Sequence, residues 1–160
     1  TSIFQLSQTD EFVLMQEAIK IPENTNELSI NFSNYAFWPS YIKSYVEECI
    51  SLYKFNNQSN YNMRWIGSLV ADCYRILIRG GIFLYPQDTR KGYERGRLRL
   101  VYEANPVSFL IEQSGGFATD GQKRILSLKP KSIHERVPFI FGSKNEKNKL
   151  LEFYGKINVR

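Results

Sequence analysis

Gly80-Gly81-Ile82-Phe83-Leu84-Tyr85-Pro86, a polar loop, Arg97-Leu98-Arg99-Leu100-Val101-Tyr102-Glu103-Ala104-Asn105-Pro106, and then Val107-Ser108-Phe109-Leu110-Ile111-Glu112-Gln113-Ser114-Gly115-Gly116 decide the fold. The first apolar run is short, aromatic and bounded by Gly-Gly and Pro, which suits a buried strand. In the second, Leu98, Leu100 and Tyr102 alternate with Arg97, Arg99 and Val101, so a second strand is predicted there. Pro106 suits the first turn of a helix, where its missing N–H costs nothing. Gly115-Gly116 supplies a left-handed stop. Glu103 is thereby expected where a strand ends and a helix begins, the kind of edge at which open α/β sheets bind ligands.

Moving outward, Leu69 to Arg79 carries Leu69, Val70, Cys73, Ile76 and Leu77 on one helical face, with Ser68 as its predicted cap. From Ser40 another helix is predicted, with Tyr41, Ile42, Tyr45, Val46, Cys49 and Ile50 turned to the core. Glu11 to Gln16 and Leu28 to Asn31 read as strands, joined through a turn at Pro22 to Asn26. Thr1 to Asp10 reads as an irregular lead-in, and Phe55 to Asn62 as a polar loop. Beyond the central stretch, Phe117 to Thr119 is a short strand and Asp120-Gly121 a tight turn. Ile125 to Leu128 looks extended, and Ser132 to Arg136 looks like one turn of helix. Val137 to Gly142 is a strand, and Ser143 caps a last helix bearing Leu150, Leu151 and Tyr154. Strands alternating with helices predict a layered α/β domain, a mixed sheet flanked by helices, over residues 1–160.

A length of 160 residues with 42% hydrophobic content suits one globular domain with a real core. No apolar run approaches the ~18 residues needed to cross a bilayer, and no secretory segment opens the chain. The formal charge of +5 points to anionic partners, or simply to solubility. With no RNP-type strand, Cys/His cluster or long basic run, nucleic acid is not an expected partner, and neither is a membrane. Cys49 and Cys73 sit among apolar neighbours and are expected as buried free thiols. His134 has no partner at metal-ligand spacing and is expected to be structural.

Several polar residues fall at predicted element ends: Asn31, Arg64, Tyr85, Arg97 and Glu103. Amide, phenol and guanidinium are the donors a phosphate monoester needs, each charge-assisted bond contributing roughly 1.5–3 kcal/mol. Spacing alone leaves two readings open, a shared anion site or separate surface donors.

The central stretch also resembles the C-terminal half of class I fructose-1,6-bisphosphatases, which carry GGI-x-LYP, then G-K-L-R-L-x-YE-x-NP, then EQ-x-GG. The resemblance runs from about Glu11 to the C-terminus. It implies a sugar-phosphatase-like fold and Mg²⁺-dependent hydrolysis of the 1-phosphate of fructose 1,6-bisphosphate, a gluconeogenic reaction of a cytoplasmic homotetramer. Asn31, Tyr35, Arg64, Trp65, Phe83, Leu84, Tyr85 and Arg97 would surround the sugar ring and its 6-phosphate. Arg64 would reach into a neighbouring subunit. Glu103 would be a ligand of the two or three Mg²⁺ ions such sites use. No catalytic residue is expected in this chain. The other ligands would come from an N-terminal domain with an Asp-Pro-Leu-Asp-Gly-Ser-Ser type sequence that nothing here matches, so the chain is expected to be inactive alone. Three departures stand out. Phe32 and Ser33 replace the family's Glu-Gly, Trp65 replaces Tyr, and Arg97 replaces Lys with a planar fork of donors. A related enzyme acting on sedoheptulose bisphosphate, or a non-catalytic truncated subunit, remains the alternative.

Overall fold

A computed structural model describes residues 1–50 and 61–158. The predicted polar loop at 55–62 lies mostly outside them. A five-stranded mixed sheet forms the centre, in the order β4 (Asn62–Met63), β3 (Glu27–Ile30), β5 (Ile82–Tyr85), β9 (Phe139–Gly142), β7 (Phe117–Thr119). β3 runs parallel to β4 and β5, whereas β9 is antiparallel to both β5 and β7. Helices cover both faces, giving the layered α/β architecture expected.

The strand period decides which layer each residue enters. On β5, Phe83 faces α2 (Leu69–Arg79) and α3 (Asn105–Gln113), in a core with Ile76, Ile111, Phe139 and Phe141. Ile82 and Leu84 face the other way, toward α1 (Ser40–Ile50) and α4 (Lys144–Asn158), in a core with Ile42, Tyr45, Val46 and Leu150. Phe83 and Phe139 each pack on Phe141 with ring centroids 4.9 Å apart. α2 ends at Gly80, whose φ of 76° suits only glycine and whose N–H closes on the Ile76 carbonyl.

Several expectations are corrected. The lead-in is not irregular: β1 (Ile3–Leu6) pairs antiparallel with β2 (Phe12–Gln16). The second central strand is shorter than its alternation suggests. Only β6 (Leu98–Arg99) is extended, pairing with β8 (Arg136–Val137), and Leu100–Ala104 already forms a widened π-type turn leading into α3. Pro106 accounts for the widening. A proline cannot donate one turn back, and its ring clashes with the carbonyl there; the Asn105 N–H reaches five residues back, to Leu100. Ile125–Ser127 is a 3₁₀ turn rather than extended, and 132–136 holds a turn and the start of β8 rather than helix. Pro138 splits the predicted Val137–Gly142 strand in two. Val70 and Leu151, expected in the core, are exposed. Ser68 stands at the start of α2 without a side-chain cap bond. The Ser143 hydroxyl accepts from the Gly81 N–H at 3.1 Å, which ties the start of α4 to β5 rather than capping the helix.

Several polar groups inside the fold are paired, whereas Ser108 Oγ and Asn105 Oδ1 are buried without a partner among the described residues. Glu146, on α4, accepts the Tyr61 hydroxyl at 2.7 Å and that of Tyr45 on α1. Asp72 accepts from Ser29 at 2.7 Å and Arg75 at 2.9 Å. Cys49 and Cys73 are buried free thiols. Burial pushes the Cys49 thiol up to about 12 and the Cys73 thiol to about 11. Neither should react with a thiol reagent at pH 8 until the chain is unfolded in denaturant. Stoichiometric labelling of the native protein within minutes would contradict that burial. Among the described residues, no helix is long and apolar enough to cross a membrane.

Candidate functional site

The C-terminal ends of β3 and β5 lie side by side, because the two strands are parallel and in register from Leu28↔Ile82 to Ile30↔Leu84. The next residues, Asn31 and Tyr85, therefore emerge at one edge. Together with Leu84, Pro86, Trp38 and Asp88 they line a narrow crevice. Asn31 starts a 3₁₀ helix (Phe32–Phe37), and its Oδ1 accepts the Ser33 N–H at 3.2 Å. That bond fixes the amide and points its oxygen inward to the turn.

Tyr85 joins this crevice to an aromatic row. Trp65 stacks on Phe83 with centroids 5.9 Å apart and also meets the Tyr85 ring at 5.9 Å. The Arg97 guanidinium lies over the Tyr85 ring at 5.9 Å and over Tyr93 at 4.2 Å. The structure thus brings Asn31, Trp65, Tyr85 and Arg97 to one neighbourhood, although they span residues 31–97, while Phe83 and Leu84 are buried behind it on opposite faces of the sheet.

Tyr35 and Arg64 stand apart from it. The Tyr35 hydroxyl donates to Glu47, and that bond raises its pKa above the usual phenol range. Its ring packs against Phe32 and Trp38, with the Lys43 ammonium 5.5 Å from its centroid. Arg64 follows the edge strand β4. Its half-exposed side chain turns to the buried carboxylate of Glu27, 3.9 Å away, which Arg75 and Arg79 also hold.

Glu103 lies in the π-type turn, not at a strand end. Its Oε2 accepts the Arg99 N–H at 2.6 Å, so the carboxylate closes the N-terminus of the helix it belongs to. The four-residue separation, one longer than in a regular capping box, follows from the extra residue of the widened turn. Among the described residues no three His, Cys, Asp or Glu side chains gather in metal-binding geometry. Glu103 fits one oxygen ligand of a hard cation through Oε1, which that bond leaves open, and the remainder of such a coordination shell would have to come from outside these residues.

Reading the sequence passed over the loop between β5 and β6 as merely polar. In it Asp88 is buried and accepts the Arg90 backbone N–H at 2.9 Å and its Nε at 3.1 Å. Burial acts to raise the Asp88 pKa, but the Arg90 hydrogen bonds and the charges of Arg90 and Arg97 outweigh it and hold the carboxyl below its usual range. The Arg90 guanidinium lies over Phe37 at 4.6 Å and over Tyr93 at 5.1 Å. The available signal was a lone aromatic, Tyr93, among Arg90, Lys91, Arg95 and Arg97. His134, expected to be structural, shares a 3.0 Å hydrogen bond with Tyr102 at the surface.

Fold and site define a class first: a layered α/β domain with amide, phenol, indole and guanidinium groups collected at one sheet edge. The family model described as the fructose-1-6-bisphosphatase C-terminal domain matches residues 21–155. The chain belongs to that family. It is 50% identical over 147 residues to a fructose-1,6-bisphosphatase class 1 of Xanthobacter autotrophicus, covering 92% of this chain and 45% of the relative. It is 52% identical over 148 residues to one of Rhizobium meliloti, covering 92% and 42%. The corresponding figures for one of Methylibium petroleiphilum are 52% over 139 residues, 87% and 39%. The chain spans less than half the length of these curated relatives.

Proposed function

We propose that this chain is the substrate-binding half of a sugar bisphosphatase that hydrolyses the 1-phosphate of fructose 1,6-bisphosphate to give fructose 6-phosphate. The names of its relatives and the family match support the substrate class. The observation that carries the reading is that Asn31 and Tyr85 line one crevice and the Arg97 guanidinium lies over the Tyr85 ring, which supports an amide, a phenol and a cation acting together on one anion. Trp65, backed by the buried Phe83, offers an apolar surface beside it, suited to the carbon face of a sugar. Arg97 and Tyr85 hold the 6-phosphate, and Leu84 closes the crevice floor. Tyr35 supports the binding set from its margin, packed on the crevice residue Trp38. Arg64, at the sheet's outer edge, serves the site of a neighbouring subunit in a homotetramer.

Glu103 is one ligand of Mg²⁺, with the rest supplied by an N-terminal domain, so this domain alone lacks activity. Bound Mg²⁺ supplies Lewis-acid stabilisation of the phosphoryl charge. The residues of this chain bind and orient the sugar, presenting its 1-phosphate to the other domain. The protein acts in the cytoplasm, in gluconeogenesis.

The test compares two proteins. The full-length protein should release phosphate from fructose 1,6-bisphosphate with Mg²⁺ and not without it. Residues 1–160 alone should release none. A full-length protein inert toward fructose 1,6-bisphosphate would defeat the proposal, and activity toward sedoheptulose 1,7-bisphosphate in its place would redirect it.

A further inference from the structure

Arg97 does not stand alone at the site's edge. Five side chains form an alternating ladder of rings and guanidiniums: Phe37, Arg90, Tyr93, Arg97, Tyr85, with successive centroid distances of 4.6, 5.1, 4.2 and 5.9 Å. Tyr93 is its middle rung, and the only ring here that carries both cations. Its hydroxyl also accepts from Arg97 Nη2 at 3.3 Å. Arg90 is fixed from behind by the buried Asp88 carboxylate. The far end of the ladder rests on the 3₁₀ helix that Asn31 begins.

We propose that Tyr93 is a positioning residue, holding the Arg97 guanidinium between two rings so that its remaining N–H groups face a phosphate; this rests on the reading of Arg97 as a phosphate donor. A guanidinium is planar and weakly hydrated, and it stacks on an aromatic face without giving up its in-plane donors. An ammonium offers no such plane. The presence of Arg rather than Lys at 97 is therefore coupled to the presence of an aromatic ring at 93. An arginine has several rotatable bonds, and fixing them before the ligand arrives lowers the entropic cost of binding. The ladder achieves this by stacking: among the described residues no carboxylate forms a close ion pair with Arg97, and Asp88 acts on it only through the longer-range charge.

The experiment is a double-substitution cycle in the full-length protein, read as KM and kcat for fructose 1,6-bisphosphate. Y93L should raise KM by roughly threefold to thirtyfold, the range for losing a cation–π partner. Y93F keeps the ring, loses only the 3.3 Å hydrogen bond, and should restore most of that loss. R97K should raise KM to a similar degree in the parent, but add little in the Y93L background, since the stacking is already gone. Additive effects, or Y93L at parental KM, overturn the inference. If Y93L does not fold, R97K decides: parental KM with the charge kept and the plane lost also overturns it. R97A separates the two levels of argument. An unchanged KM there removes Arg97 from the site, and the inference with it. A raised KM for R97A beside parental Y93L and R97K leaves the function standing and removes Tyr93 alone.

Discussion

Gly142→Ala should destabilise the native fold severely. Gly142 ends β9, the strand held between β5 and β7, and pairs with Ile82 on one side and Phe117 on the other. A Cβ at this position would lie 2.1 Å from the Gly81 carbonyl oxygen and 2.8 Å from the Ile82 Cα. Both are backbone atoms in the middle of the sheet, so no side chain can swing aside. Relief requires β9 to separate from β5, which opens the Phe83–Phe141–Phe139 cluster on one face and the Leu84–Ile140 packing on the other. A loss above about 4 kcal/mol is expected, set against a typical domain stability of about 5–15 kcal/mol. Gly155→Ala is the contrasting case. Gly155 lies in α4 with nothing within 4 Å of the added carbon, and the change should stabilise by about 0.5–1 kcal/mol. Urea unfolding followed by circular dichroism measures both. A Gly142→Ala protein with a midpoint near the parent's would mean that the close approach of β9 to Gly81 is not a feature of the molecule.

Glu103→Gln should leave the fold intact and remove the activity proposed for the full-length protein. The amide oxygen of Gln can accept the Arg99 N–H as Glu103 does now, so the helix start survives. The lost charge weakens the favourable interaction with the helix N-terminus by about 0.3–1 kcal/mol. What Gln cannot supply is an anionic oxygen for a hard cation. Loss of groups that merely orient metal ligands costs about 10- to 100-fold, so kcat should fall at least about 100-fold, with an unfolding temperature close to the parent's. Near-parental kcat at the same Mg²⁺ concentration would reduce Glu103 to a helix cap. The comparison matters because both roles use the same carboxylate, and only a neutral acceptor of the same shape tells them apart.

How much of this was legible depended on whether the signal was local. α2 matches its predicted span because an apolar stripe through Cys73, Ile76 and Leu77 ends at Gly80-Gly81, and β5 because glycine and proline bracket four apolar residues. The stretch after Arg97 misled because two periods overlap in it. Leu98, Leu100 and Tyr102 alternate like a strand, while Leu100, Ala104, Val107 and Ile111 follow the helical spacing, and these four are the buried ones. The helical period prevailed since it serves the core, and the Glu103 side chain captures the Arg99 N–H that a strand would have used. Ile125–Ser127 and Arg136–Val137 are too short for any period to be read. The neighbourhood of Asn31, Trp65, Tyr85 and Arg97 is a product of sheet order, which puts β3 beside β5 across intervening helices. No residue-by-residue pattern contains it. The resemblance named these positions, and the Asp88–Arg90–Tyr93 support beneath Arg97 came only from the coordinates.

The chain carries two tryptophans. Trp38 is buried among Phe32 and Tyr35 and forms part of the crevice wall. Trp65 is half-buried against Phe83 and Tyr85, one ring away from the Arg97 cation. The protein thus contains its own pair of fluorophores, Trp38 in the crevice wall and Trp65 beside the aromatic row that carries the Arg97 cation, where an arriving negative charge alters the emission. Occupancy of the edge can be followed by light, with no dye attached and no turnover required.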